Sequence, residues 1–179
     1  GLVGSEMCIR DRPSAFLKQA CSEMNDAVCA GCEALPYGRM GTTVAALLFT
    51  AEEVYACNLG DSRIYRLRGR VLTQMSVDDS EPVPEGTGHG KPPLTQYLGV
   101  FPDELTLVPH LVKSALKPGD FYLLCSDGLT DLLPNVMIAD CIRQHTSVRQ
   151  ITEHLLRAAL QNGGRDNISV IGIKINELR

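Results

Sequence analysis

A short apolar run that stops at an acidic residue sets the strongest constraint on how this chain folds. Phe121–Cys125 (FYLLC) is rich in strand-forming residues, and the polar break Ser126-Asp127-Gly128 follows it directly. Leucines then recur at helical spacing, so the stretch predicts a buried strand, a turn at Asp127 and a helix. Because a bare buried charge is very costly, the Asp127 carboxylate must be hydrogen-bonded, paired or bound to a metal ion.

A second acidic residue is predicted to lie beside the first. Residues 162–167 (NGGRDN) are typical of a loop and residues 168–175 (ISVIGIKI) of a strand, so Asp166 lies just before that strand. If the two strands are antiparallel neighbours, both carboxylates reach one edge of the sheet. Like charges this close repel unless a cation lies between them, and oxygen ligands suit hard ions such as magnesium or manganese. A structural interpretation stays open, in which Asp127 caps a helix and Asp166 makes an Asx turn.

The other segments indicate an α+β fold, with two antiparallel sheets and helices on the outside. Their order is a helix, a four-stranded antiparallel meander with short turns, a long irregular loop, further strands and a helix pair. The helix opens at residues 13–14; the meander strands are residues 44–50, 54–59, 63–67 and 71–75; the loop is 77–93; a helical turn is 94–98 and a strand 104–109; the helix pair is 134–145 and 147–161.

Charge and hydropathy exclude two classes of partner. The 179-residue chain has a formal net charge of −4 and no run of Lys or Arg, so no nucleic-acid partner is expected. The longest apolar run, Val44–Phe49, is far too short to cross a bilayer, so no membrane partner is expected. Seven cysteines are scattered along the chain, and the lone C-x-x-C pair Cys29 and Cys32 is interpreted as structural thiols. This cysteine usage favours a reducing cytoplasm.

Five short motifs occur together in a characteristic order and spacing. They are GTT (residues 41–43), NLGDSRIY (58–65), LTQYLG (94–99), LLCSDGLTD (123–131) and GGRDNISVI (163–171). The set resembles the metal-dependent serine/threonine protein phosphatases of the PPM (type 2C) family, the bacterial members above all, over about residues 13–175. The resemblance implies an αββα sandwich of two antiparallel sheets with a two-metal centre at one end.

The resemblance also implies site residues and a function. Asp127 and Asp166 match the aspartates that hold one ion, and Asp61 matches one that binds a further, weaker ion together with Asp127. Turn formation is the ordinary reading of Asp61, and residues 77–93 correspond to the flap beside the active site. The implied enzyme is a monomer that hydrolyses phosphomonoesters of serine and threonine in phosphorylated proteins through a metal-activated water. Its cofactors are Mn²⁺ or Mg²⁺, two or three ions in the complete domain.

Two departures from the family pattern bear on activity. The family's D-G-x-G-G segment, whose aspartate bridges both ions, has no counterpart before Ala15, so the N-terminal strands are expected to be missing. Residues 1–12 are interpreted as a non-family scar and residues 13–179 as an incomplete phosphatase domain. A D-H-S motif is altered to Asp78-Asp79-Ser80, and Asp79 is assigned no role. The alternative function is therefore a non-catalytic pseudo-phosphatase or a truncated fragment that acts as a binding module, and little activity is expected of this chain alone.

Overall fold

The computed structural model describes residues 12–33, 36, 38–82 and 91–177, and this part of the chain forms four helices and seven strands. The segment interpreted as a scar lies outside the described residues except for residue 12, and so do residues 83–90 of the flap region. The elements are α1 (Pro13–Glu33), β1 (Val44–Phe49), β2 (Glu53–Leu59), β3 (Arg63–Arg68), β4 (Val71–Gln74), β5 (His110–Ala115), β6 (Phe121–Cys125), α2 (Asp127–Thr130), α3 (Asn135–Gln144), α4 (Val148–Gln161) and β7 (Val170–Lys174).

The strands form two antiparallel sheets that pack face to face. One sheet has the order β1-β2-β5 and the other the order β4-β3-β6-β7. Helix α1 packs on the outer face of the three-stranded sheet, and α3 and α4 pack on the outer face of the four-stranded sheet. The layer order helix, sheet, sheet, helix confirms the predicted αββα sandwich and the α+β class.

Strand β6 is buried on both of its faces, as predicted. Phe121, Leu123 and Cys125 contact the helical layer, whereas Tyr122 and Leu124 contact the core between the sheets. Successive side chains of a strand point to opposite faces, so an uninterrupted apolar run is what a strand between two cores requires. Strand β6 therefore lies at the centre of the sandwich, and its end is a fixed platform for the residues that follow.

The predicted four-stranded meander is wrong. Strand β1 pairs with β2 and β3 pairs with β4, but β2 and β3 lie in different sheets. The turn Gly60-Asp61-Ser62 carries the chain from one sheet to the other. Gly60 has a φ of +92°, and a Cβ there would overlap the side chain of Thr43. Because β2 and β3 each carry buried apolar residues on both faces, their sequence does not distinguish a hairpin from a crossing between sheets.

The strand predicted at residues 104–109 and the helical turn predicted at 94–98 are also wrong. The chain forms β5 at His110–Ala115 instead, antiparallel to β2, and residues 94 and 98 make isolated bridges to Ser80 and Thr42. Strand β5 is at the edge of the described three-stranded sheet, where exposed polar residues such as Lys113 are tolerated. Leu107, which suggested a strand, packs instead against the core beneath α1.

Candidate metal centre

The two acidic residues predicted to meet lie together at one edge of the four-stranded sheet. Strands β6 and β7 are antiparallel neighbours, so the end of β6 lies beside the start of β7. Asp127 is the first residue of α2, directly after β6, and Asp166 lies in the loop before β7. Lys91 Nζ donates hydrogen bonds to Asp127 Oδ2 and, at 3.1 Å, to Asp166 Oδ2. The two carboxylates therefore reach a common point.

Small residues beside Asp127 hold it against the loop that precedes β7. Ser126 Oγ donates to the Asn167 carbonyl oxygen at 3.1 Å and accepts from the Ser169 N–H at 2.9 Å. The Ser126 N–H donates to the Ser169 carbonyl oxygen at 3.1 Å. A Cβ on Gly128 would overlap the Asn167 carbonyl oxygen, so this close backbone approach requires glycine. The sequence Ser-Asp-Gly thus fixes the distance between the two acidic segments.

The position of the Lys91 ammonium shows that this edge favours positive charge. It also lies 3.5 Å from Asp131 Oδ2, so three carboxylates surround it. Burial acts to lower the pKa of Lys91, but its hydrogen bonds to Asp127 and Asp166 raise that pKa overall. The pKa of Asp166 is lowered, first by the Asn167 N–H, which donates to Oδ1 at 2.7 Å, and then by Lys91. The lowered pKa favours the charged form of Asp166, which is the form that binds a cation.

Asp61 lies close enough to Asp127 and Lys91 for both charges to affect its pKa. Its pKa is raised, by burial first and then by the negative charge of Asp127, whereas Lys91 acts in the opposite direction. It belongs to the turn that crosses between the sheets at the same end of the sandwich. The three predicted ligands thus lie at the same end of the sandwich. Two of them, Asp127 and Asp166, contact the same ammonium group.

The donor set at this edge suits one hard divalent ion. Asp127 and Asp166 present carboxylate oxygens to a single positive group, and such oxygens are the ligands that magnesium and manganese prefer. Within residues 12–33, 36, 38–82 and 91–177, no group of three His, Cys, Asp or Glu side chains is already arranged as a metal cage. Magnesium commonly binds through one or two carboxylates and keeps several waters. The two aspartates therefore fit an ion whose remaining ligands come from water or substrate.

Asp79, to which the sequence assigns no role, shapes this end of the molecule. Its side chain is buried; Oδ2 accepts from the Gly60 N–H at 2.9 Å, and Oδ1 lies 2.7 Å from His110 Nε2. Through Gly60 it holds the turn that carries Asp61, so Asp79 is a positioning residue. Its place in an altered motif was the one signal in the sequence, and Lys91 carried no signal at all.

Known proteins share this sequence pattern. The family model for protein phosphatase 2C matches residues 6–169. The serine/threonine protein phosphatase PstP of Mycobacterium tuberculosis is 34% identical over 166 residues, which cover 88% of this chain and 32% of PstP. The protein phosphatase PhpP of Streptococcus pneumoniae is 34% identical over 152 residues, which cover 79% of this chain and 61% of PhpP. The chain thus spans less than two thirds of the length of either relative.

Solved structures share the fold. The crystal structure of the M. tuberculosis serine/threonine phosphatase PstP/Ppp superposes with a TM-score of 0.81 at 30% identity, covering 98% of this chain and 82% of that one. The catalytic domain of PstP in complex with two manganese ions gives a TM-score of 0.72 at 32% identity, covering 86% of this chain and 67% of that one. The sandwich is therefore similar to one that holds manganese.

Proposed function

Because this chain belongs to the protein phosphatase 2C family, we propose that it acts as a metal-dependent phosphatase on phosphorylated serine and threonine side chains of proteins. One observation carries the proposal: Asp127 and Asp166, distant in sequence, converge on one positively charged group. A bound Mn²⁺ or Mg²⁺ ion supplies a water of lowered pKa and neutralises negative charge on phosphoryl oxygens. The reaction needs such help because uncatalysed phosphate-monoester hydrolysis is extremely slow.

The chain's own residues hold and position the charges that this chemistry requires. Asp127 and Asp166 would hold one ion, and Asp61 would contribute to a weaker one beside Asp127. The hydrogen bonds of Ser126 and the close approach at Gly128 keep the two principal carboxylates at a fixed separation. The phosphoryl group of the substrate is anionic and this chain has a formal net charge of −4, so the positive field of the cation would also attract the phosphoryl group.

Hydrolysis of p-nitrophenyl phosphate at increasing manganese concentration tests the activity. We expect turnover that is slow for this chain alone, rises with manganese, stops on addition of a chelator and returns when manganese is restored. Calorimetric titration with manganese tests the site: Asp127→Asn and Asp166→Asn should each weaken binding, because a neutral amide replaces a charged ligand. Asp140→Asn, an exposed aspartate on α3 paired with Arg143, is the matched control and should bind manganese normally. Unchanged affinity in both site variants would show that the ion is held elsewhere.

Non-catalytic binding of phosphoproteins is a second candidate function. It is favoured by the finding that the ammonium group of Lys91 already lies on Asp127 and Asp166, at the point where the ion would bind. This function predicts saturable binding of a phosphoserine peptide with no turnover at any manganese concentration. The same p-nitrophenyl phosphate titration separates the two functions, since only the phosphatase releases p-nitrophenol.

The proposed substrates are phosphorylated proteins, as the names of PstP and PhpP suggest for those relatives. We further propose a monomer located in the cytoplasm. The acidic formal charge supports the absence of a nucleic-acid partner. In the part of the chain that the structure describes, no helix is long and apolar enough to cross a lipid bilayer.

A further inference from the structure

Two buried thiols face each other between α1 and the three-stranded sheet. Cys21 of α1 is 2% exposed and Cys57 of β2 is 0% exposed. Their Sγ atoms are 3.6 Å apart, and both are free thiols in this structure. The contact joins a helix to a strand that lies 36 positions farther along the chain.

We propose that Cys21 and Cys57 are a redox modification site, which closes into a disulfide when the protein meets a hydroperoxide. The two Sγ atoms are already in contact at 3.6 Å. A disulfide bond is about 2.0 Å long, so the sulfurs must approach by only about 1.6 Å. The bond would tie α1 to the central strand of its sheet.

A cavity gives small oxidants a route to Cys21. It has a volume of about 550 Å³, lies between α1 and residues 100–109, and is lined in part by Cys21. Lys18, Ser22 and Asp26 also line it and are exposed, so the cavity opens at the surface. Cys57 is fully buried and does not line this cavity. A hydroperoxide that enters therefore meets Cys21 first.

The two thiols are hydrogen-bonded to each other, and they differ in their access to this cavity. Cys57 stabilises the thiolate of Cys21, which lowers the pKa of Cys21, although burial opposes this effect. The contact with Cys21, together with burial, raises the pKa of Cys57. Because Cys21 lines the cavity and Cys57 does not, Cys21 is the residue that a hydroperoxide reaches and that attacks it through its thiolate, and Cys57 is the resolving residue.

The reaction is balanced with hydrogen peroxide as the oxidant. The Cys21 thiolate attacks one peroxide oxygen, an S–O bond forms, the O–O bond breaks, and the departing hydroxide becomes water by taking the proton that the Cys21 thiol lost on ionisation. The Cys57 sulfur then attacks Cys21 Sγ, the S–S bond forms and the S–O bond breaks. The second hydroxide takes the Cys57 proton. The two sulfurs together lose two electrons, and one peroxide becomes two waters.

The C-x-x-C pair of the same helix lacks this geometry and serves as the internal comparison. Cys29 Sγ donates to the Val100 carbonyl oxygen, whereas Cys32 Sγ donates to the Met40 carbonyl oxygen. Each of these thiols is thus directed at its own backbone partner. We expect Cys29 and Cys32 to be dispensable for the disulfide.

Peptide mapping after peroxide treatment tests the proposal. Trypsin releases Cys21, Cys29 and Cys32 on one peptide, residues 19–39, and Cys57 on another, residues 40–63. The experiment therefore uses the double variant Cys29→Ser/Cys32→Ser, in which Cys21 is the one thiol on the first peptide. We expect peroxide to link the two peptides, to remove two thiols from reaction with iodoacetamide after denaturation, and to be reversed by dithiothreitol.

Replacing Cys21 or Cys57 by Ser in that background should abolish the linked peptide. The proposal is overturned if the double variant, which retains both thiols, yields Cys21 and Cys57 as unlinked peptides after peroxide treatment, whether as free thiols or as sulfinic acids. Because this result needs only the double variant, it decides the question even if the single replacements fold poorly. A link that forms only between different chains, seen as a dimer on a non-reducing gel, would equally overturn it.

Discussion

Replacing Lys91 by Met should strengthen manganese binding, although the substitution removes a contact from the site. The Lys91 ammonium lies on Asp127 and Asp166, where the proposed ion would bind. Binding of the ion therefore has to displace the ammonium. Met keeps much of the length and apolar character of the side chain while it removes the competing charge.

The contacts of Lys91 set the size of the effect. Its side chain is 44% exposed and that of Asp166 is 53% exposed, so the pair between them is a solvent-exposed surface ion pair that contributes little. The Asp127 side chain is 21% exposed, which puts its pair with Lys91 towards the upper end of the range for surface pairs, about 1 kcal/mol. Since about 1.4 kcal/mol is a factor of ten, affinity should rise about 5-fold.

Calorimetric titration with manganese measures this change, with Lys113→Met as the matched control. Lys113 pairs with Glu53 at 2.7 Å on a different strand pair and is similarly exposed, so its replacement should leave manganese affinity unchanged. Thermal unfolding without metal gives a second readout: Lys91→Met should lower the melting temperature, because Asp127 and Asp166 then repel each other. Equal or weaker manganese binding by Lys91→Met would refute the competition.

Two further predictions concern stability. Gly128→Ala should destabilise the fold by about 1–3 kcal/mol, as overpacking does, and should weaken manganese binding, because the new methyl group pushes the Asn167 carbonyl away; an unchanged melting temperature would contradict this. Asp120→Asn should cost about 3 kcal/mol at neutral pH, since buried Asp120 is paired with Arg68. Burial acts to raise the pKa of Asp120, but the hydrogen bond from Arg68 and the other contacts of Asp120 lower that pKa overall. The stabilisation by Asp120 is therefore present above the unfolded-state pKa of about 3.9 and is lost as the pH falls through the folded-state pKa. Urea titrations of the wild type and Asp120→Asn at pH 7 and pH 3 should show that their free energies of unfolding converge at the lower pH.

The positions of Asp127 and Asp166 at one edge of the sheet could be predicted from the sequence, because these positions depend on local signals. An apolar run that ends at Asp127 and another that begins after Asp166 are each visible within ten residues of sequence. Only one tertiary assumption was needed, that the two strands pair, and β6 and β7 do pair. The common edge follows from that pairing alone.

The features that the sequence did not indicate all depend on contacts between distant segments. Lys91 and Asp79 lie in irregular chain, where no periodicity indicates what a side chain meets. The contact between Cys21 and Cys57 depends on which face of a helix meets which face of a strand. The sequence does not indicate the crossing between β2 and β3, because each strand carries buried apolar residues on both faces and neither has a fully polar face from which to infer its sheet.

The pairing of β6 with β7 has one consequence for how the protein would respond to its supply of ions. Residues 127 and 166 bracket α3 and α4, so the proposed ion would link the two ends of the segment that forms the outer helical layer. Ligand binding stabilises the folded state by about 2.7 kcal/mol when the free ion is at 100 times its dissociation constant. When the ion is scarce, the helical layer between Asp127 and Asp166 should lose this stabilisation, and proteases should cut between the two aspartates first.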